Sequence, residues 1–309
     1  MLQTHPDSST ARRAVAAPMR PSAGPLRARV TATVVAACLL LTQPHFALGQ
    51  QPRAAQDEAQ LINWYYSAVF GTGVYKAGDR TVTVLQLPFG HTLRKIDEDN
   101  RVGLRLRVPV SFGFYNFDVE DIANTGLPGR INTVSVFPGV EAEFYGDDNW
   151  RLRPYANVGY AWDTAGGSDS AAIYATGIKS LLTLPLGRAA QLSLGNQLTW
   201  SGYRPASGPA QPLGLFVAGL NLALPSGFKL RDRATTLDFH LIYYYYFNRL
   251  QFPLAQQVTN RVREEGEFAI SLATRTPVDL KLFDIDRVGL AVRVGADLTA
   301  VRLFFNLPY

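Results

Sequence analysis

The chain ends on the stretch VRLFFNLPY, residues Val301–Tyr309, and the pattern of this stretch decides the fold class. Its residues alternate between two sides of an extended chain, and one side is apolar throughout: Val301, Leu303, Phe305, Leu307 and Tyr309. Strict alternation predicts a half-buried β-strand. In a bacterial outer-membrane β-barrel the last strand pairs with the first, because lipid cannot satisfy an open sheet edge. We therefore predict that Val301–Tyr309 is the closing strand of such a barrel.

The same five apolar positions, with an aromatic residue at the very end, resemble the C-terminal assembly signal of bacterial outer-membrane proteins. We expect the barrel-assembly machinery to recognise this signal, and outer-membrane lipid and lipopolysaccharide to surround the inserted barrel. The alternative interpretation is the final strand of a soluble β-sandwich. The rest of the sequence has to decide between the two.

The first 49 residues predict a cleaved secretory signal peptide rather than a folded segment. A basic region precedes an apolar core of twelve residues at 30–41, which is too short to be a transmembrane helix. Ala47 and Gly49 supply the small residues of a cleavage site, so the mature chain is expected to begin at Gln50. A start at Met19 would give a basic region of ordinary length, with residues 1–18 left untranslated.

The single cysteine lies inside this predicted signal peptide. Val35–Cys38 loosely resembles a lipoprotein box, but the residues that follow stay apolar, and this favours a filler position in the signal core. Because Cys38 is the only cysteine of the chain, the predicted mature protein contains no disulfide and no thiol chemistry.

Charge and composition exclude several classes of protein. Removing residues 1–49 takes away five Arg and one Asp, which leaves 25 basic against 24 acidic residues. A nearly neutral mature chain argues against a nucleic-acid binder. No second apolar run approaches the ~18 residues of a membrane-spanning helix. The sequence has neither a His/Cys cluster nor a phosphate-binding loop, so no metal and no cofactor are expected.

From residue 62 to 309 the sequence predicts a single all-β domain, an antiparallel transmembrane barrel of about twelve strands, preceded by a periplasmic linker at 50–61. The third strand is the clearest, because seven apolar residues alternate with polar or small ones between Val102 and Phe114. The long polar connections, expected to face outward, are 117–131, 201–212 and 248–265. The predicted strands are about 62–74, 81–94, 101–116, 132–145, 150–162, 171–184, 188–200, 213–224, 234–247, 266–275, 287–294 and the segment after 297.

Alternation also predicts which charged residues face the barrel lumen. These residues form a charge ladder on three neighbouring strands: Arg105, Arg107, Glu141, Glu143, Arg151 and Arg153. A tight turn at 146–149 would place Glu141 opposite Arg153 and Glu143 opposite Arg151. The ladder allows two interpretations, a charged constriction that selects permeating solutes or a set of structural ion pairs that holds the barrel together.

Two further lumenal residues, Asp238 and His240, share one face of a predicted strand. An Asp that orients a His is one part of a hydrolytic triad. Barrel lipases carry a Ser two residues after the His, and here that position is Ile242. We therefore interpret Asp238 and His240 as a buried hydrogen-bonded pair, and we expect no catalytic residues and no enzyme.

Four stretches together resemble the solitary outer-membrane autotransporter-like β-barrel proteins of proteobacteria, which lack a passenger domain. These stretches are GTGVYKAGDRTV from Gly71, Leu87-Pro88-Phe89, Arg293-Val294-Gly295-Ala296-Asp297 and the ending from Leu303. The resemblance implies a barrel over about 62–309 and assigns no reaction. The function we expect is a monomeric scaffold or small-solute channel with a charged lumen. The alternatives are a surface adhesion or envelope-structural protein that acts through its outer loops, and a lipid-active enzyme.

Overall fold

The structure is a computed structural model that describes most of the predicted barrel. The described residues are 69–77, 80–96, 101–115, 131–164, 170–187, 190–206, 208–230, 233–253, 259–279, 284–307 and 309. The predicted signal peptide, the predicted linker and most of the 117–131 connection lie outside these residues. Within the described part of the chain, no helix is long and apolar enough to cross a membrane.

Thirteen strands in the described residues form one antiparallel sheet. They are β1 Gly73–Ala77, β2 Arg80–Arg94, β3 Val102–Tyr115, β4 Thr133–Val136, β5 Gly139–Asp147, β6 Trp150–Asp163, β7 Ser170–Leu186, β8 Ala190–Pro205, β9 Gln211–Leu230, β10 Arg233–Pro253, β11 Thr259–Asp279, β12 Asp284–Gly295 and β13 Thr299–Phe304.

The sheet closes on itself and has twelve strand positions. β4 and β5 both pair with β3 and β6, so they occupy one position, interrupted at Phe137-Pro138, where proline has no N–H to donate. β1 pairs with β2 on one side and with β13 on the other, so no strand is left at an edge. The predicted fold class, a single antiparallel barrel of about twelve strands, is confirmed.

Aliphatic and aromatic side chains form the outward face, whereas the lumenal side holds the buried polar and charged residues together with a separate apolar cluster. Val158, Leu241 and Leu290 are 68%, 62% and 64% exposed, and they belong to a broad belt of exposed aliphatic and aromatic residues. Trp150 and Trp162, at the two ends of β6, also face outward. Soluble monomers rarely expose such a belt, whereas a transmembrane barrel requires one. The chain therefore has the architecture of an outer-membrane β-barrel.

Several predicted connections are strand in the structure, so the sequence prediction of their extent was wrong. Most of 248–265 continues β10 and β11, and Leu250 is paired with Val262. The connection 201–212 shrinks to the residues between β8 and β9, and 225–233 is mostly strand as well. Proline and charged residues interrupt the alternation in these parts, although single apolar residues such as Leu250 and Val262 are buried. The parts stay extended because both members of a hairpin satisfy each other's backbone groups.

The two ends of the barrel also differ from the prediction. β1 begins only at Gly73, and the described residues before it are not strand. β13 ends at Phe304, so the predicted alternation holds for Val301 and Leu303 but not for the last residues. The segment after β13 turns inward instead, and Tyr309 is buried.

Candidate functional site

The lumen contains a cavity of about 390 Å³. Its walls are the inward faces of β3, β5, β6 and β7, together with the segment 303–307 and Tyr309. Five of the six predicted ladder residues line it: Arg105, Arg107, Glu141, Arg151 and Arg153. The sequence predicted that these residues face the lumen, but it did not predict a cavity there.

The ladder residues meet in ion pairs, but not in the predicted register. Glu141 lies opposite Tyr155 across β5 and β6 rather than opposite Arg153, so the prediction was wrong by two residues. An irregularity at the end of β5, after Tyr145, and the two-residue turn that follows account for this shift. A shift of two keeps every side chain on the same face, so the predicted partners become diagonal neighbours.

Three ion pairs hold the two carboxylates of the ladder. Arg107 donates a hydrogen bond to Glu141 at 3.2 Å, and Arg153 approaches the other oxygen of Glu141 at 3.9 Å. Arg151 approaches Glu143 at 3.5 Å. Glu141 is nearly buried, while Glu143 and Arg151 are about one-third exposed. The first carboxylate is thus shared by two cations, and the second belongs to a solvated pair.

The sequence analysis missed one cation of this site, Lys179. Lys179 on β7 lies directly opposite Arg153 and lines the same cavity. Its Nζ and the guanidinium carbon of Arg107 each lie 5.8 Å from the centroid of the Tyr155 ring. The signal was available, because Ile178 faces outward and its neighbour must therefore face inward.

Tyr155 supports the cations of this wall, and its own position is fixed by hydrogen bonds. Its hydroxyl is 2.7 Å from the hydroxyl of Thr199 and accepts a hydrogen bond of 3.1 Å from Gln197. Gln197 also donates to Thr199 at 2.7 Å. The ring is therefore fixed between β6 and β8, and it offers a rigid face to two cations.

A second charged cluster lies in the opposite wall, on β11, β12 and β13. Arg293 donates to Glu267 at 2.8 Å and approaches Glu265 at 3.5 Å, while Arg302 donates to Glu267 at 2.7 Å. The side chains of Glu265, Glu267 and Arg293 are at most 1% exposed. Tyr246 donates to Glu265 at 2.7 Å. Two carboxylates meet two guanidinium groups here, so the cluster is balanced and dry.

Asp238 and His240 both face the lumen, but they do not form the predicted hydrogen-bonded pair. The Asp238 carboxylate accepts bonds from Arg287, Asn221 and Thr236. The Nε2 atom of His240 is 2.8 Å from the hydroxyl of Ser271 on the neighbouring strand. The spacing of residues along one strand could not reveal this partner, because Ser271 is 31 residues away in the sequence.

This arrangement does not make a hydrolytic triad. His240 and Ser271 are almost fully buried, and Nδ1 of His240 has no hydrogen-bond partner in the described part of the chain. A triad needs a carboxylate at that nitrogen. The described residues also contain no group of three His, Cys, Asp or Glu that could hold a metal. The expectation that the protein is not an enzyme stays a prediction, which release of fatty acid from phospholipid or lipopolysaccharide would contradict.

The C-terminal aromatic residue occupies the lumen itself. The ring of Tyr309 lies against the backbone of Gly195 and Gly219, which are directly opposite each other on β8 and β9. A Cβ atom at either glycine would collide with the ring. Two facing glycines therefore form a flat notch that admits an aromatic side chain. Whether Tyr309 belongs to an assembly signal stays a prediction.

The chain is similar to the β domain of the Bordetella autotransporter BrkA, with 11% identity over 75% of this chain and 92% of that one, at a TM-score of 0.46. No family model matches the sequence, and no curated protein matches it. The chain's own strand pairings establish a closed antiparallel barrel with twelve strand positions.

Proposed function

We propose that the protein is a narrow small-solute channel of the outer membrane whose positively charged lumen selects anions. The observation that carries this proposal is the cavity of about 390 Å³ with its cation-rich wall. Charged rings that line a narrow passage are the usual basis of ion selectivity in membrane pores. A barrel that served only as a scaffold would gain nothing from a cavity lined by surplus cations.

The rest of the lumen argues for a narrow passage rather than a general pore. An apolar cluster fills much of the barrel on the side of β9, β10 and β11, with members such as Leu215, Ile242 and Val262. Apolar constrictions close a passage by excluding water. We therefore expect low conductance with long closed periods.

Planar-bilayer recording of the refolded barrel tests this function. Addition of the protein should produce discrete conductance steps, small compared with those of open porins, and heat-unfolded protein should produce none. If the folded protein never raises the membrane current above that of detergent alone, the channel is wrong and a scaffold or surface role remains.

A surface adhesion role is the second candidate, because one hairpin is much longer than a membrane span. β10 and β11 have 21 residues each, roughly twice the ~10 that a tilted strand needs to cross a bilayer. The outer part carries exposed paired side chains, such as Tyr243 with Glu264 and Arg263 with Tyr245. Loss of host-cell or cell–cell attachment on shortening this hairpin, with an unchanged barrel, would favour adhesion.

We propose the bacterial outer membrane as the location of the barrel, in contact with lipid and lipopolysaccharide, as a monomer inserted by the barrel-assembly machinery. Its export would use the signal peptide predicted at 1–49. The intact mass of membrane-extracted protein should correspond to a chain that begins at Gln50. A lipid-modified Cys38 would contradict this cleavage site and would place the mature start earlier.

A further inference from the structure

We propose that the cavity holds a specific binding site for a small dianion with phosphate-like oxygens, and that Lys179 is its central ligand. This inference rests on the proposed lumenal function and names the class of solute that the lumen takes. It depends on the charges that meet at one point of the wall, between β3, β6 and β7.

The first step of the argument is the charge of the wall. Arg107, Arg151, Arg153 and Lys179 face only two carboxylates, those of Glu141 and Glu143. Two positive charges therefore remain in excess, even before Arg105 is added. On the opposite side, Arg302 and Asp286 also line the cavity, but Arg302 is neutralised by Glu267, and Asp286 shares Arg287 with Asp238 and so adds no positive charge. The excess belongs to one wall.

The second step is the position of Lys179 within that wall. Its Cα partner across β6 is Arg153, so two cations stand directly opposite each other. Like charges in this position destabilise a sheet. Within the described residues Lys179 makes no hydrogen bond or ion pair, and its side chain lies against the Tyr155 ring. The carboxylate whose charge acts on Lys179 is that of Glu141, which Arg107 and Arg153 already share, so a bound anion would compensate the surplus charge.

The third step is the contrast with the other charged cluster of the same lumen. Glu265 and Glu267 balance Arg293 and Arg302 within a dry wall, and neither carboxylate lines the cavity of about 390 Å³. That cluster shows how this barrel arranges charges that only hold strands together. The Lys179 wall departs from this arrangement in both respects, because it has surplus cations and it faces open space.

The chemistry of the wall then selects the ligand. Guanidinium groups bind oxyanions through paired N–H donors, and an ammonium group adds a point charge. The side-chain amides of Gln86 and Asn157 also line the cavity, and each makes one N–H donation within the described residues, to Ser111 and to the carbonyl of Phe137, which leaves a second N–H for a ligand. An excess of two positive charges matches a dianion, whereas a singly charged carboxylate would leave part of it uncompensated. The closed sheet keeps bilayer lipid out, so the ligand arrives from water.

Calorimetric titration of the folded, detergent-solubilised barrel with inorganic phosphate tests this site without requiring conductance. Phosphate should bind more tightly than acetate, and the affinity should fall as sodium chloride is raised. Lys179→Gln should weaken phosphate binding by about ten-fold or more, the cost of one charged contact. Lys179→Arg should retain binding, because it keeps the charge. Lys76→Gln is the matched control, since Lys76 is exposed on the outer face of β1.

Stability separates this role from a structural one. If Lys179 only held strands together, Lys179→Gln would lower the urea midpoint; we expect it unchanged or raised, because an opposed cation is removed. The inference is overturned if wild-type protein binds phosphate no better than acetate, or if Lys179→Gln binds as well as wild type. If the protein conducts but does not bind phosphate, the proposed binding site is wrong and the proposed channel function is unaffected. If it binds phosphate but does not conduct, the channel function is wrong and the binding site is unaffected.

Discussion

Replacing Glu267 with Gln is expected to lower the free energy of unfolding by about 3–5 kcal/mol, the cost of leaving buried cations without their carboxylate. Glu267 accepts hydrogen bonds from both Arg293 and Arg302. After the substitution, two guanidinium groups would share only Glu265, which Arg293 approaches at 3.5 Å. The side chains of Glu267 and Arg293 are at most 1% exposed, so solvent compensates little of this loss. Urea unfolding in detergent or lipid vesicles, followed by the mobility shift of folded barrels, measures the loss.

Glu143→Gln is the matched control, since it makes the same change in a solvated pair. Glu143 is 32% exposed and its partner Arg151 is 37% exposed. Pairs of this kind contribute only ~0–1 kcal/mol. A loss of equal size at the two positions would mean that the two walls of the lumen are equally wet. The distinction between a dry structural cluster and a wet cavity wall would then be wrong.

Removing the last five residues, 305–309, is expected to reduce the amount of folded barrel in the outer membrane severalfold. This truncation leaves β13 complete, with its four residue pairs to β1. The pairing between β1 and β13 that closes the barrel is short, so we expect the buried packing of Tyr309 to contribute to keeping the barrel closed. The predicted assembly signal is lost as well. Outer-membrane abundance and heat-modifiable gel mobility measure the effect, with Ala206→Ser between β8 and β9 as the control.

A glycine substitution separates packing from signalling at the same site. Gly195→Ala displaces the Tyr309 ring while leaving the C-terminal sequence intact. If lumenal packing matters, this variant should insert normally but unfold at lower urea. If only the signal matters, it should behave as wild type. Unchanged abundance after removal of 305–309 would contradict both roles and would leave the C-terminal segment without a part in the barrel.

The sequence predicted the barrel well because alternation depends on the two environments that a barrel wall separates. Lipid outside and a polar lumen inside impose the pattern between Val102 and Phe114, and the structure follows it. The pattern weakens in the outer halves of β10 and β11, where Pro253 and several charged residues interrupt it. This explains why they were predicted as a loop, although Leu250 and Val262 are buried there. Backbone pairing, which has no side-chain signature there, keeps them extended.

The charged site was predicted in part, for a similar reason. The alternation along each strand alone placed Arg107, Glu141 and Arg153 on the lumenal face. Contacts between strands that are distant in the sequence also depend on the strand register and on the closure of the barrel. The turn after β5 shifted the register by two, and local sequence does not encode that shift. The pairing of Glu267 with Arg302, 35 residues apart, and the docking of Tyr309 on Gly195 follow from closure. Neither contact could be inferred from the sequence, because it does not show which strands lie across the lumen from each other.

The most direct test of the central claim is the zero-current potential of the wild-type barrel in a planar bilayer with a potassium chloride gradient. An excess of positive charge on the wall of a narrow lumen concentrates chloride and repels potassium. The account predicts a potential whose sign indicates anion preference and whose size falls as the salt concentration rises. A potential that indicates cation preference, or none at any salt concentration, would contradict it.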